Sequence, residues 1–223
     1  RDVTLTQTDI ANAYRIISGL ASSTPHTILL YSGTTLRGWA DFTTKTPYTG
    51  TVIDLRDIEG RPSVLADTIP VIPAGSTVLL KRGETYEISS TTDIGKNIII
   101  TSGSDLMATG QAKLYFTSNF NFAEGSVIDS IEFNDVYLYG SSYSSRYVFN
   151  TTRSATVGKL KFVNCHAEIF RGLVRIQSGT TTVSNFLVEN STIDSISNYG
   201  VFIVDNATCK ADNIVLRNST FYK

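Results

Sequence analysis

The sequence has little charge of either sign. Of its 223 residues 19 are Lys or Arg and 20 are Asp or Glu, so the net charge is −1. A nucleic-acid partner needs a surplus of cations to displace counterions from phosphate, and that surplus is missing. No apolar run reaches the length of about 18 residues that a membrane-spanning helix requires. Cysteine is scarce as well. Cys165 and Cys209 fall at different places in the repeat described below, which reads as two buried free thiols rather than a disulfide. His26 and His166 stand alone in the sequence, so no Cys/His group has zinc-site spacing. The chain opens at Arg1 without Met, charged n-region or apolar h-region, so any signal peptide is expected to have been removed or left out.

What the sequence does have is Thr, Ser, Asn, Ile and Val in quantity, a composition suited to half-buried strands. It also has a repeat. Ile131-Glu-Phe133-Asn-Asp135, Leu160-Lys-Phe162-Val-Asn164, Phe186-Leu-Val188-Glu-Asn190 and Ile214-Val-Leu216-Arg-Asn218 share one pattern. The closing Asp or Asn returns after 29, 26 and 28 residues. A fixed period in this range signals stacked structural repeats. Apolar residues alternate with period two inside each unit, which specifies strand. Asp and Asn tolerate the left-handed conformation and suit a turn at the strand end. The fold expected is all-β: a right-handed parallel β-helix, preceded by a small partial β-sandwich segment. Asp135, Asn164, Asn190 and Asn218 are expected to form a structural ladder, bonding up and down their own stack.

Three segments follow in order. Residues 1–44 hold a short helical turn near Asp9 and the strand-like runs Ile17-Ser-Gly-Leu20, Ser23–Tyr31 and Arg37–Thr44. These runs resemble the last three strands of a fibronectin type III module, with His26 near that family's corner tyrosine. Residues 45–70 read as a linker and N-terminal cap with one strand, Thr51–Leu55. Residues 71–223 read as the solenoid. Its opening, Ile72-Pro-Ala-Gly-Ser-Thr-Val-Leu-Leu80, Gly83-Glu-Thr-Tyr-Glu-Ile88 and Asn97-Ile-Ile-Ile-Thr101, resembles the first coil of pectate-lyase-like β-helices. There Val78 and Leu80, then Ile98 and Ile100, fit the later apolar template. Lys223 falls inside a coil, and further coils are expected beyond it. The whole resembles a domain of unknown function from secreted Bacteroidetes proteins, in which a fibronectin-like module precedes the helix. That resemblance implies export to the cell surface or outer membrane, with a lipid anchor upstream.

Stacking places the candidate chemistry. Beyond the ladder, Val136, Cys165, Ser191 and Ser219 are expected inward. Tyr137, His166, Thr192 and Thr220 are expected outward, followed by Tyr139, Glu168, Asp194 and Tyr222. Tyr137, Tyr139, Tyr143 and Tyr147, with Arg146, make the expected carbohydrate-binding surface, because a tyrosine ring offers a sugar an apolar face and a polar tip. A polysaccharide is the expected partner. Glu168 and Asp194 on neighbouring coils are candidates for the paired carboxylates of a hydrolase. The lyases of the superfamily use Lys, Arg and acidic calcium ligands, which makes Lys161, Arg171 and Arg175 candidates for base and charge neutraliser. The Asp-Asp and Gly-His-Gly motifs of its polygalacturonases are absent. Asp54, Asp57 and Glu59 are oxygen donors close enough in sequence to be weighed for Ca²⁺, against the plainer reading of a solvated acidic turn. Non-catalytic binding is the leading expectation, ahead of an enzyme, with a structural stalk third.

Overall fold

The computed structural model describes residues 1–105 and 108–222. It divides into two compact units, Arg1–Tyr48 and Thr49–Lys223. In the first, helix α1 (Gln7–Asn12) starts from a capping box, in which the Thr6 and Asp9 side chains each bond the other's backbone N–H. Strands β1 (Pro25–Ser32) and β2 (Thr35–Thr43) form an antiparallel hairpin. Gly33, at φ 59, supplies the positive φ that a type II′ turn asks of its first position. The run Ile17–Leu20 is not a strand, so two of the three expected strands form.

The second unit is a parallel β-helix of about six coils. Strand β3 (Val52–Asp54) edges it, and α2 (Val64–Thr68) sets Val64 and Leu65 into the core. Each full coil then contributes three strands. The first holds β4 (Ser76–Leu80), β5 (Thr85–Ile88) and β6 (Thr92–Ile94). The second holds β7 (Ile98–Ser102), β8 (Ala112–Phe116) and β9 (Phe120–Phe122). The third holds β10 (Ser126–Asn134), β11 (Val136–Ser142) and β12 (Phe149–Thr151). The fourth holds β13 (Ala155–Val163), β14 (His166–Phe170) and β15 (Val174–Ile176). The fifth holds β16 (Thr181–Glu189), β17 (Thr192–Ile193) and β18 (Phe202–Val204), and β19 (Lys210–Arg217) and β20 (Thr220–Phe221) begin the sixth. Corresponding strands pair in parallel into sheets of seven, six and five strands.

The expected inward columns are observed and buried through the fifth coil, whereas Ile214 and Leu216 of the sixth stay about half exposed. Ile98, Ile131, Leu160, Phe186 and Ile214 stack in register, as do Ile100, Phe133, Phe162, Val188 and Leu216. Phe133 lies parallel to Phe162 at 5.2 Å, so the core is an aromatic stack running across coils. The first coil is offset from its expected alignment. Ser76 and Val78, not Val78 and Leu80, stand over Ile98 and Ile100. A shift of two preserves which face each side chain takes, so the alternation alone cannot detect it. A second departure is a bulge. The pairs Ile128/Ile131, Val157/Leu160 and Val183/Phe186 are all buried although each is three residues apart. Asp129, Gly158 and Ser184 drop out of the ladder between them, which returns the strand to the same face.

The ladder is corrected in its chemistry. Asp135, Asn164, Asn190 and Asn218 all take the left-handed turn, with φ between 49 and 53. Their side chains, however, do not bond one another. Asp135 pairs with Arg82 and accepts from Gln111, and Asn164 donates to Asn134. The stacking bonds come from the next residue. Ser191 Oγ accepts from Cys165 N–H, and Ser219 Oγ accepts from Ser191 N–H. A second Asn-to-Asn contact between coils, besides Asn164 to Asn134, runs beside the bulge from Asn213 to Asn185. Cys165 and Cys209 are free and buried, as expected.

Candidate functional site

The six-stranded sheet turns two columns outward. Parallel register aligns Thr85, Lys113, Tyr137, His166, Thr192 and Thr220 in one. Glu87, Tyr115, Tyr139 and Glu168 form the other, and Asp194 continues it by donating its N–H to Ala167 O. The expected stripe therefore exists, and it extends two coils further than expected, to Thr85 and Glu87 in the first coil and, in the second, to Lys113 and Tyr115. Those last two had no marker in the sequence, because the second coil lacks the closing Asp or Asn that aligned the others.

Half-burial gives the stripe fixed geometry. Lys113 Nζ lies 3.8 Å from the centre of the Tyr139 ring and 5.1 Å from that of Tyr137. Tyr115 leans on Tyr139 with centroids at 5.8 Å. Tyr137 stacks on His166 at 4.8 Å, and its hydroxyl donates to Glu168 Oε1. Burial is the first cause, and the hydrogen bond to Glu168 the second, of a phenol held well above its ordinary pKa. Glu168 Oε2 faces His166 Nε2 at 3.8 Å, and Ser195 Oγ donates to Asp194 Oδ1 at 3.0 Å. Donor atoms of His166, Glu168 and Asp194 lie within 4.8 Å of one another, the one such group of His, Cys, Asp and Glu among the described residues. The spacing rule for zinc sites missed it because its members sit on two coils.

Both carboxylates stand at a corner. Ile169, at φ 62, follows Glu168, and Ser195, at φ 49, follows Asp194. A β-branched residue in the left-handed region is strained. Beside it, Gly140 and Ser141 bulge between Tyr139 and Ser142 against the single Ile169. A Cβ on Gly140 would come within 2.2 Å of Ile169 O. Glycine is thus what lets the two corners stack.

The other expected site residues are dispersed. Tyr143 is exposed, but Tyr147 is buried at 1 %, covered by Tyr199 and Arg175 and outside the solenoid core, which corrects its expected place on the binding surface. Arg146 is half-buried in the same turn. Arg171 lies over Tyr199 at 4.2 Å, and Arg175 is engaged by Asp205 at 2.6 Å. Lys161 belongs to the seven-stranded sheet and bonds Glu132 at 2.9 Å. Lys161 therefore lies on a different sheet from Glu168. Asp54 is taken by Arg56 at 2.6 Å and Glu59 by Lys81 at 3.2 Å, so two of the three acidic residues from 54 to 59 are held in ion pairs. No helix among the described residues is long and apolar enough to cross a membrane.

No curated protein and no solved structure matches the chain. Residues 84–223, from the residue before β5 onward and including all of the outward stripe, match the model of a domain of unknown function, DUF4957, and the chain belongs to that family.

Proposed function

We propose that this chain is an exported surface protein that binds polysaccharide along the six-stranded sheet, without catalysis of its own. The observation that carries the reading is the aromatic run Tyr115, Tyr137 and Tyr139, held half-open in register with Lys113 laid across it. Rings fixed by stacked neighbours lose little freedom when a sugar settles on them, and Lys113 suits an acidic glycan. On this reading the N-terminal hairpin is the end of a fibronectin type III-like module. The helix is of the pectin-lyase type, from a Bacteroidetes surface protein with a lipid anchor.

A hydrolytic alternative draws on one observation, the convergence of Glu168 and Asp194. A lyase has less support, since Lys161 is tied to Glu132 on another sheet. The test is affinity electrophoresis through gels containing plant, host or microbial polysaccharides, with and without Ca²⁺. Retardation by at least one acidic glycan is expected, and Tyr139→Ala should weaken it by roughly tenfold, the loss of about 1–2 kcal/mol that a stacked aromatic supplies. New reducing ends or unsaturated products would overturn the non-catalytic reading. No retardation on any glycan would leave a structural stalk.

A further inference from the structure

We propose that His166, Glu168 and Asp194 form a three-ligand site for a divalent first-row transition ion, with Zn²⁺ the fitting probe, leaving one coordination position open to solvent. The convergence of three donors within 4.8 Å is the first support. A tetrahedral zinc ion with bonds of about 2.0–2.2 Å holds its donors about 3.3–3.6 Å apart, so small rotations of these half-buried side chains complete the site. One pair, His166 Nε2 and Glu168 Oε2, is already at 3.8 Å.

The second support is independent of the spacing. His166 Nε2 is covered from solvent and has no hydrogen-bond partner, although its ring as a whole is about two-fifths exposed. A buried ring nitrogen is normally satisfied, and this one points at a carboxylate oxygen. The third support is how the carboxylates are dressed. The Tyr137 hydroxyl occupies Glu168 Oε1, and the Ser195 hydroxyl occupies Asp194 Oδ1. Each leaves its other oxygen free to ligate. Such outer partners orient ligands in metal sites, and the stacked Tyr137 ring also fixes the imidazole plane.

Donor chemistry selects the ion. An imidazole nitrogen suits zinc and its transition neighbours, whereas Ca²⁺ and Mg²⁺ prefer oxygen throughout. Two carboxylates neutralise a dication. The site stands apart from the glycan reading, since it needs no sugar to form.

The full chain, stripped with chelator, would be titrated with Zn²⁺ by calorimetry and with Co²⁺ by visible absorption. One equivalent should bind, and Co²⁺ should show the intense d–d bands of a four-coordinate N/O site. His166→Ala and Asp194→Asn should each weaken binding at least about tenfold, and Tyr137→Phe by about 10–100-fold as an outer partner. His26→Ala should bind as the parent does. Metal-free melts would separate a lost ligand from a lost fold, with His166→Ala and Asp194→Asn expected to melt as the metal-free parent does. Absent saturable binding, equal affinity in His166→Ala, or equal preference for Ca²⁺ would each overturn the assignment.

Discussion

In the hairpin, Leu29 faces Trp39 across the ladder, and 52 % and 67 % of their surfaces remain open. In the solenoid, Phe133 stacks on Phe162 and neither reaches solvent. Both regions are paired strands rich in apolar residues. What differs is the number of layers that one strand can reach. A hairpin has two faces and, within its own unit, nothing laid on either, so Ile28, Leu30, Tyr31 and Leu36 stay about half exposed. A coil bends its chain through three sheets, so every inward side chain meets the other two. Apolar alternation specifies a face; only a second layer turns that face into a core.

Three measurements would sharpen or break this contrast. The largest effect is expected at Phe162, whose ring lies between Phe133 and Phe186. Phe162→Ala should cost about 3–5 kcal/mol in denaturant unfolding of the solenoid. A loss below about 1 kcal/mol would mean the stack is loose, and the contrast with the hairpin would fail.

A smaller effect should appear at alkaline pH. The folded pKa of Tyr137 is raised above its ordinary value of 10.0, chiefly by burial and then by Glu168. Its stabilising share is therefore whole below about pH 10 and declines as pH climbs from there toward the folded value. Tyr86, also raised by burial, acts in the same direction. Urea midpoints measured from neutral to alkaline pH should fall more steeply in the parent than in Tyr137→Phe, and equal slopes would refute this account.

The smallest effect concerns Trp39, the one tryptophan of the chain. Its emission should resemble that of indole in water and be quenched freely by acrylamide in the native protein. A blue-shifted, protected signal would show that the hairpin faces are covered after all.

Much of the solenoid was legible in the sequence, and the reasons are local. Ile131, Phe133, Leu160, Phe162, Phe186 and Val188 alternate, and the left-handed Asp or Asn after them marks the corner, so period and inward columns could both be read. The offset of Ser76 and Val78 could not, because two registers of equal parity bury the same faces. The bulge left a trace in the three-residue spacing of Val157 and Leu160, which departs from period two. Burial of Tyr147 left none, since its coil loop closes through contacts with Tyr199 and Arg175, distant in sequence.

The candidate site divides the same way. Residue order alone places Tyr137 and His166 in one outward column, and Glu168 and Asp194 in another, because a corner residue sets the parity of the strand that follows. Three-dimensional packing alone shows that Tyr137 donates to Glu168 and that Lys113 lies across the tyrosines. Those contacts depend on rotamers and on how far each coil advances. No local pattern of residues encodes either quantity.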